Sequence, residues 1–128
     1  LTNNSELSHY TKTLKPGESH VFGTGLSFEP PKSIYDDIQM SLVVKARSGL
    51  SVKNNIEKGA GLIDADYRGE VKIHLYNHGT QPVRFHVGER IAQITFVPCA
   101  KIHGNIEEVE TLSDTERSDG GFGSTGLK

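Results

Sequence analysis

The sequence predicts an all-β domain, an antiparallel sandwich or barrel, and three observations carry that expectation. Short stretches alternate apolar and polar residues with period two, and Gly, Pro and Asn separate them at the intervals of about 8–12 residues typical of such folds. Glycine is frequent, with 14 in the chain, and only 34% of residues are apolar, which suits a turn-rich β protein with a modest core. Signals for helix starts and stops are almost absent. At 128 residues the chain has the length of one domain, here 1–112, followed by a tail over 113–128.

Taken in order, Lys15-Pro16-Gly17-Glu18 reads as a turn before a strand over 21–28, and Glu29-Pro30-Pro31 as the break after it. A further strand is predicted over 38–44. Val71, Ile73 and Leu75 alternate with Lys72, His74 and Tyr76, so this stretch is read as a strand with one buried face, ended by Asn77-His78-Gly79. Val83, Phe85 and Val87 continue the alternation. Gly88-Glu89 then turns into a strand over 90–98, which Pro98 is expected to close because proline cannot donate to a ladder. From Ser113 onward the residues are Ser, Asp, Thr, Glu, Gly and Lys with almost no apolar partner, so the tail is expected to be mobile unless something binds it.

Charge and cysteine usage narrow the function classes. Lys plus Arg is 14 and Asp plus Glu is 16, a net charge of −2 with His neutral, so nothing draws a nucleic-acid backbone broadly and any phosphate binding must be local. No apolar run approaches the 20 or so residues of a membrane span. One cysteine, Cys99, cannot form an internal disulfide, and it is read as a buried, inert thiol. With no signal peptide at the start, the expected compartment is intracellular, the cytoplasm first, with nucleus and organelle left open.

Several motifs offer chemistry beside a plainer reading. Gly121-x-Gly123-x-x-Gly126 satisfies the dinucleotide fingerprint in form, but only Leu127 and Lys128 follow it, so the helix that reading requires has no room, and no Gly-Lys-Ser/Thr makes a P-loop. The tail is then either a loose terminus or a closing arm. Its glycines let backbone N–H groups approach an anion, Ser124 and Thr125 add hydroxyls, Arg117 adds a charged fork and Phe122 one ring able to stack. Asp64, Asp66 and Glu70 cluster beside Tyr67 and Arg68 ahead of a strand, as a charged turn or as a site. In a site, Asp64 can act as general base, Tyr67 offers a flat face to a sugar, and Gly59 and Gly61 let backbone approach a base edge.

Arg47-Ser48-Gly49 falls where a strand opens into a loop, a common place for anion contacts. Arg90 and Gln93 are three apart in a strand and face opposite ways, so one is structural and the other lines a site. His74 and His78 have a metal-like spacing, but one is in a strand and the other in its turn, which disfavours a shared ion.

Read together and in order, these pieces resemble the deoxyuridine triphosphatase (dUTPase) family. Arg47-Ser-Gly-Leu-Ser51 is similar to its second motif, Gly61-Leu-Ile-Asp-Ala-Asp-Tyr-Arg-Gly-Glu70 to its third, Gly88-Glu-Arg-Ile-Ala-Gln93 to its fourth, and the stretch 117–126 with Gly120-Gly-Phe-Gly-Ser-Thr-Gly126 to its fifth. The resemblance implies a distorted jelly-roll or β-barrel subunit of a homotrimer whose active sites are shared between subunits. It implies hydrolysis of dUTP to dUMP and pyrophosphate by water attack at the α-phosphate, lowering dUTP and supplying dUMP for thymidylate synthesis.

The same resemblance assigns roles. Asp64 contacts the 3′-hydroxyl and orients or deprotonates the water. Gly59, Ala60, Gly61 and Ile63 belong to the hairpin that reads uracil through its backbone, and Tyr67 packs under the deoxyribose. Arg47, Ser48, Gly49 and Gln93 hold the phosphates. Arg117, Gly123, Ser124 and Thr125 close on their distal end, with Phe122 stacking on the base of a neighbouring subunit. Mg²⁺ is implied as cofactor, held through the phosphates and water rather than directly by side chains.

Two departures from the family pattern stand out. Ser118 follows the fifth-motif arginine where glycine is usual. The first motif, Gly-x-Asp-Leu, whose aspartate holds the metal's water shell, has no counterpart in residues 1–31, although Leu1 fits its last position. Residues 32–39 read as a surface insertion. The missing motif supports an alternative, a weakly active or non-catalytic nucleotide-binding regulatory protein. A dCTP deaminase relative shares the fold but lacks the third and fifth motifs in this form.

Overall fold

The computed structural model describes residues 11–32, 35, 37–101 and 106–116. Within them the chain forms β1 (Thr11–Leu14), β2 (Ser19–Gly23), β3 (Ile38–Ala46), α1 (Ser48–Asn54), β4 (Ile56–Lys58), β5 (Leu62–Ile63), β6 (Lys72–Asn77), β7 (Val83–His86) and β8 (Ala92–Ala100). All pairings are antiparallel. β1 pairs with β7, β6 lies between β2 and β4, and β3 lies between β5 and β8. The all-β expectation holds, but these sheets do not close into a barrel.

One core joins the three sheets. Leu14 and Phe85 come from the first, Ile56, Ile73 and Leu75 from the second, and Val44 from the third, with Val71 just before β6. Alternation explains β6 well: Ile73, Leu75 and Asn77 are buried, while Lys72 is exposed and His74 and Tyr76 are half-buried on the other face. On that face His74, Tyr76 and His78 form a run of rings, with centroids 4.4 Å and 5.6 Å apart. Among the described residues no helix is long and apolar enough to cross a membrane.

The turn at Lys15-Pro16-Gly17-Glu18 is present. Gly17 adopts φ 79°, which glycine accepts without steric cost, and the Glu18 N–H donates to the Lys15 carbonyl at 3.0 Å. Other expectations change. β1 had no counterpart in the sequence reading, although Thr11 and Thr13 alternate with Lys12 and Leu14 and only Leu14 is buried. β2 stops at Gly23 instead of reaching 28, because Thr24 donates its hydroxyl to the Val71 carbonyl and Gly25 turns the chain at φ 68°. Val87 falls outside β7 and is exposed.

Pro98 does not end its strand: β8 begins at Ala92, two residues later than expected, and runs through Pro98, opposite Met40, to Ala100. It is the edge of its sheet, where a missing donor is tolerated. Arg90 therefore precedes the strand rather than alternating with Gln93 inside it. Ile38 and Gln39 belong to β3, so the stretch read as an insertion ends in a strand. Cys99 is half-buried rather than buried, its thiol directed at the Val97 carbonyl. The loop expected after Arg47 is the helix α1, closed by Asn55 in the left-handed conformation (φ 52°, ψ 39°).

Asn77 is the polar pin of this arrangement. It is fully buried, its side-chain amide donates to the carbonyls of Leu14 and Gln81, both at 2.9 Å, and its side-chain oxygen accepts the Gly79 N–H at 2.9 Å. Asn77→Ala strips partners from two carbonyls and one N–H, each worth about 1–3 kcal/mol when buried, so a loss of roughly 3 kcal/mol or more is expected. In thermal melts that corresponds to a fall of roughly 10 °C. A shift under about 2 °C would show that water replaces the amide freely.

Candidate active site

The stretch 59–72 folds into two connected pieces that enclose a space. From Gly59 the chain runs along β3 as β5, with Ile63 opposite Leu42 and the Gly61 carbonyl accepting the Val44 N–H at 2.7 Å. It then turns at Asp64, whose carbonyl accepts the Tyr67 N–H at 3.1 Å. The two pieces wall a cavity of about 260 Å³ that Ala60, Ile63, Asp64 and Tyr67 line together with Leu62 and Glu70.

Some backbone groups beside this cavity are committed and others are free. The Gly59 N–H is committed to the His74 carbonyl at 2.8 Å, and the Gly61 carbonyl to Val44. Among the described residues, the N–H groups of Ala60 and Gly61 and the carbonyl of Ala60 have no partner. The Ala60 carbonyl and the Gly61 N–H are the two ends of one trans peptide and point opposite ways, so a single base edge can meet at most the Ala60 N–H and carbonyl, one donor and one acceptor.

Tyr67 is fixed, not loose. Its hydroxyl donates to the Glu70 carbonyl at 3.0 Å, and its ring lies across Gly69, where a Cβ would fall 2.6 Å from the ring's Cζ. Any side chain at position 69 would push the ring away. Arg68 braces the turn by donating to the carbonyls of Ala65 and Tyr67, at 2.8 and 3.2 Å. Its 3.7 Å ion pair with Glu29 is exposed and adds little.

The three acidic residues separate in role. Glu70 accepts the Gly25 N–H at 2.9 Å and fills the space beside Gly23, so it clamps the 23–26 loop. The Asp64 carboxylate has no partner among the described residues, and it borders both the cavity and a larger open groove of about 710 Å³ that Asp66 also lines. Among those residues no group of three His, Cys, Asp or Glu is arranged to hold a metal ion.

The remaining predicted residues lie elsewhere. Arg47 precedes α1, and its guanidinium donates to the Arg90 carbonyl at 2.6 Å, while Ser48 and Gly49 form the exposed start of that helix. Gln93 is exposed on β8 opposite Lys45. Asp64 comes one residue after the Ile63–Leu42 pair, on the other flank of β3. Four residues along a strand and two strand spacings across put Asp64 and Gln93 roughly 16 Å apart, and six residues put Arg47 roughly 20 Å from Asp64. Arg117, Phe122, Gly123, Ser124 and Thr125 lie outside the described residues.

The sequence reading missed Val44, Leu62, Val71 and Lys72 as walls of the cavity. The β3–β5 pairing brings Val44 beside Leu62, and the return of the chain into β6 brings Val71 and Lys72, neither of which local pattern reveals. It also missed Glu70 as a clamp on the 23–26 loop.

Comparison with known proteins gives a consistent picture. The dUTPase family model matches residues 7–126. The deoxyuridine 5′-triphosphate nucleotidohydrolase of Mus musculus is 43% identical over 120 residues, 93% of this chain and 68% of its own length. The protein of the same name from Clostridium acetobutylicum is 43% identical over 119 residues, 91% of this chain and 77% of its own. Among solved structures, the Staphylococcus bacteriophage 80alpha dUTPase with dUPNHPP superimposes with a TM-score of 0.78 at 27% identity, across 94% of this chain and 83% of that one.

Proposed function

This chain belongs to the dUTPase family, and on that premise we propose that it hydrolyses dUTP to dUMP and pyrophosphate through a site read by the 59–63 hairpin. The observation that carries the site assignment is the cavity in which Ala60, Ile63, Asp64 and Tyr67 meet. Uracil binds along the backbone, deoxyribose rests on the pinned ring of Tyr67, and the 3′-hydroxyl reaches Asp64. The thymine methyl and a 2′-hydroxyl are disfavoured by the closeness of the same walls.

Asp64 accepts a proton from water, or orients it, as its oxygen attacks the α-phosphorus. The bond from that phosphorus to the bridging oxygen breaks, and pyrophosphate leaves with the electron pair. Arg47, Ser48, Gly49 and Gln93 hold the triphosphate, so positioning and charge neutralisation supply most of the rate. Magnesium, bound through phosphate oxygens and water, would supply further neutralisation of that charge.

The spacing of these residues on one chain favours a site shared between subunits. The 3′-hydroxyl and α-phosphate of one nucleotide are only a few bonds apart, whereas Asp64 and Gln93 are separated by roughly 16 Å on the sheet. That separation supports a homotrimer in which the 59–67 region of one subunit meets Arg47 and Gln93 of another. Residues 113–128 form the closing arm, with Phe122 on the base and Arg117, Gly123, Ser124 and Thr125 on the phosphates.

Incubation with dUTP and with dCTP tests the reaction: pyrophosphate from dUTP is expected, and ammonia from dCTP without pyrophosphate would point instead to a deaminase. Removal of residues 120–128 is expected to leave a folded trimer with turnover reduced at least about tenfold, as loss of a lid and its charge contacts implies. Sedimentation of the truncated chain checks the first half of that expectation, and dissociation to monomers would contradict it.

A further inference from the structure

Lys58 ends β4 with its Cα opposite Leu75, a core residue, so its side chain is directed to the inner side of the sheet. It is half-buried, and among the described residues no carboxylate pairs with it. Its ammonium donates instead to the Gly59 carbonyl at 3.3 Å. The side chain folds over Gly61: a Cβ there would lie 2.8 Å from Nζ and 3.1 Å from Cε. On another side Gly59 has no room either, since its Cβ would meet His74 Nδ1 at 2.5 Å and Tyr76 at 3.1 Å. The two glycines are thus gripped by a cation and by two rings.

We propose that Lys58 is a positioning residue for base recognition, its ammonium fixing and polarising the first peptide of the 59–63 hairpin. This rests on the assignment of base reading to that hairpin. The Gly59 carbonyl and the Ala60 N–H belong to one peptide unit, so a positive charge on the oxygen makes the N–H a stronger donor. That N–H has no partner among the described residues, and Ala60 lines the cavity. Lys58 therefore acts on the base without touching it, by setting both the direction and the strength of a donor.

Lys58→Met keeps the unbranched side chain and removes the charge. With wild-type dUTP turnover as reference, it is expected to raise KM for dUTP about tenfold, the equivalent of one charge-assisted hydrogen bond, while kcat stays within about twofold. The preference for dUTP over dCTP in kcat/KM should fall several-fold. Lys58→Arg, which restores a donor, should return KM to within about threefold of wild type. An unchanged KM and preference in Lys58→Met, or no recovery in Lys58→Arg, would overturn the proposal. A wild-type protein that does not discriminate uracil from cytosine would instead remove the hairpin assignment on which it rests.

Discussion

Asp64→Asn is expected to reduce kcat for dUTP by about 10²–10⁴-fold, the range typical when a general base is lost, while KM changes by less than about fivefold. The substitution is nearly isosteric, and the Asp64 side chain makes no hydrogen bond or ion pair with the described residues, so the fold has little reason to respond. What changes is the capacity to take a proton. The amide can still accept from the 3′-hydroxyl, which keeps the nucleotide in place, but it cannot take up the proton of the attacking water. Pyrophosphate release gives kcat, and binding of a non-hydrolysable dUTP analogue gives affinity. Unaltered turnover would sink Asp64 as the base. Tight dUTP binding by the unsubstituted protein without any turnover would favour the non-catalytic reading.

How much of this could be read in the sequence depended on whether a feature is local. The alternation of Val71, Ile73 and Leu75 set β6 and its buried face directly, because period two is the geometry of a strand. Residues 60–67 were legible as one group because they are contiguous and end up in one cavity. Failures came where pairing overrides local pattern. Pro98 is tolerated within β8 because of the strand's place at a sheet edge. α1 has no fully buried residue and only Leu50 packed against the core, so it leaves little amphipathic signature, and the Asn55 cap and the Ser51–Glu57 hydrogen bond help to hold it. Lys58 carries no local signal of its place, which the β4–β6 register alone sets.

Two inactive variants mixed together are expected to regain activity. Suppose Asp64 and Gln93 serve the same nucleotide from different subunits, as their separation of roughly 16 Å between Cα atoms on one chain favours. Asp64→Asn chains then carry intact phosphate-binding residues, and Gln93→Ala chains carry intact Asp64. Gln93 is exposed and outside the core, so its truncation leaves the subunit folded. If the two are unfolded, mixed in equal amounts and refolded, chance places an intact Asp64 against an intact Gln93 at about one site in four of a closed cyclic trimer. The mixture should therefore recover about a quarter of wild-type turnover, far above either variant refolded alone. Activity equal to the average of the two separate variants would show that each site is built within one chain. The reciprocal control is equally sharp: a chain carrying both substitutions, refolded with wild type in equal amounts, leaves only those sites whose two contributors are both wild type, again about one in four. Complementation and dominance by the double variant thus follow from the same geometry, and a site confined to one chain gives neither: no recovery in the first mixture and half of wild-type activity in the second.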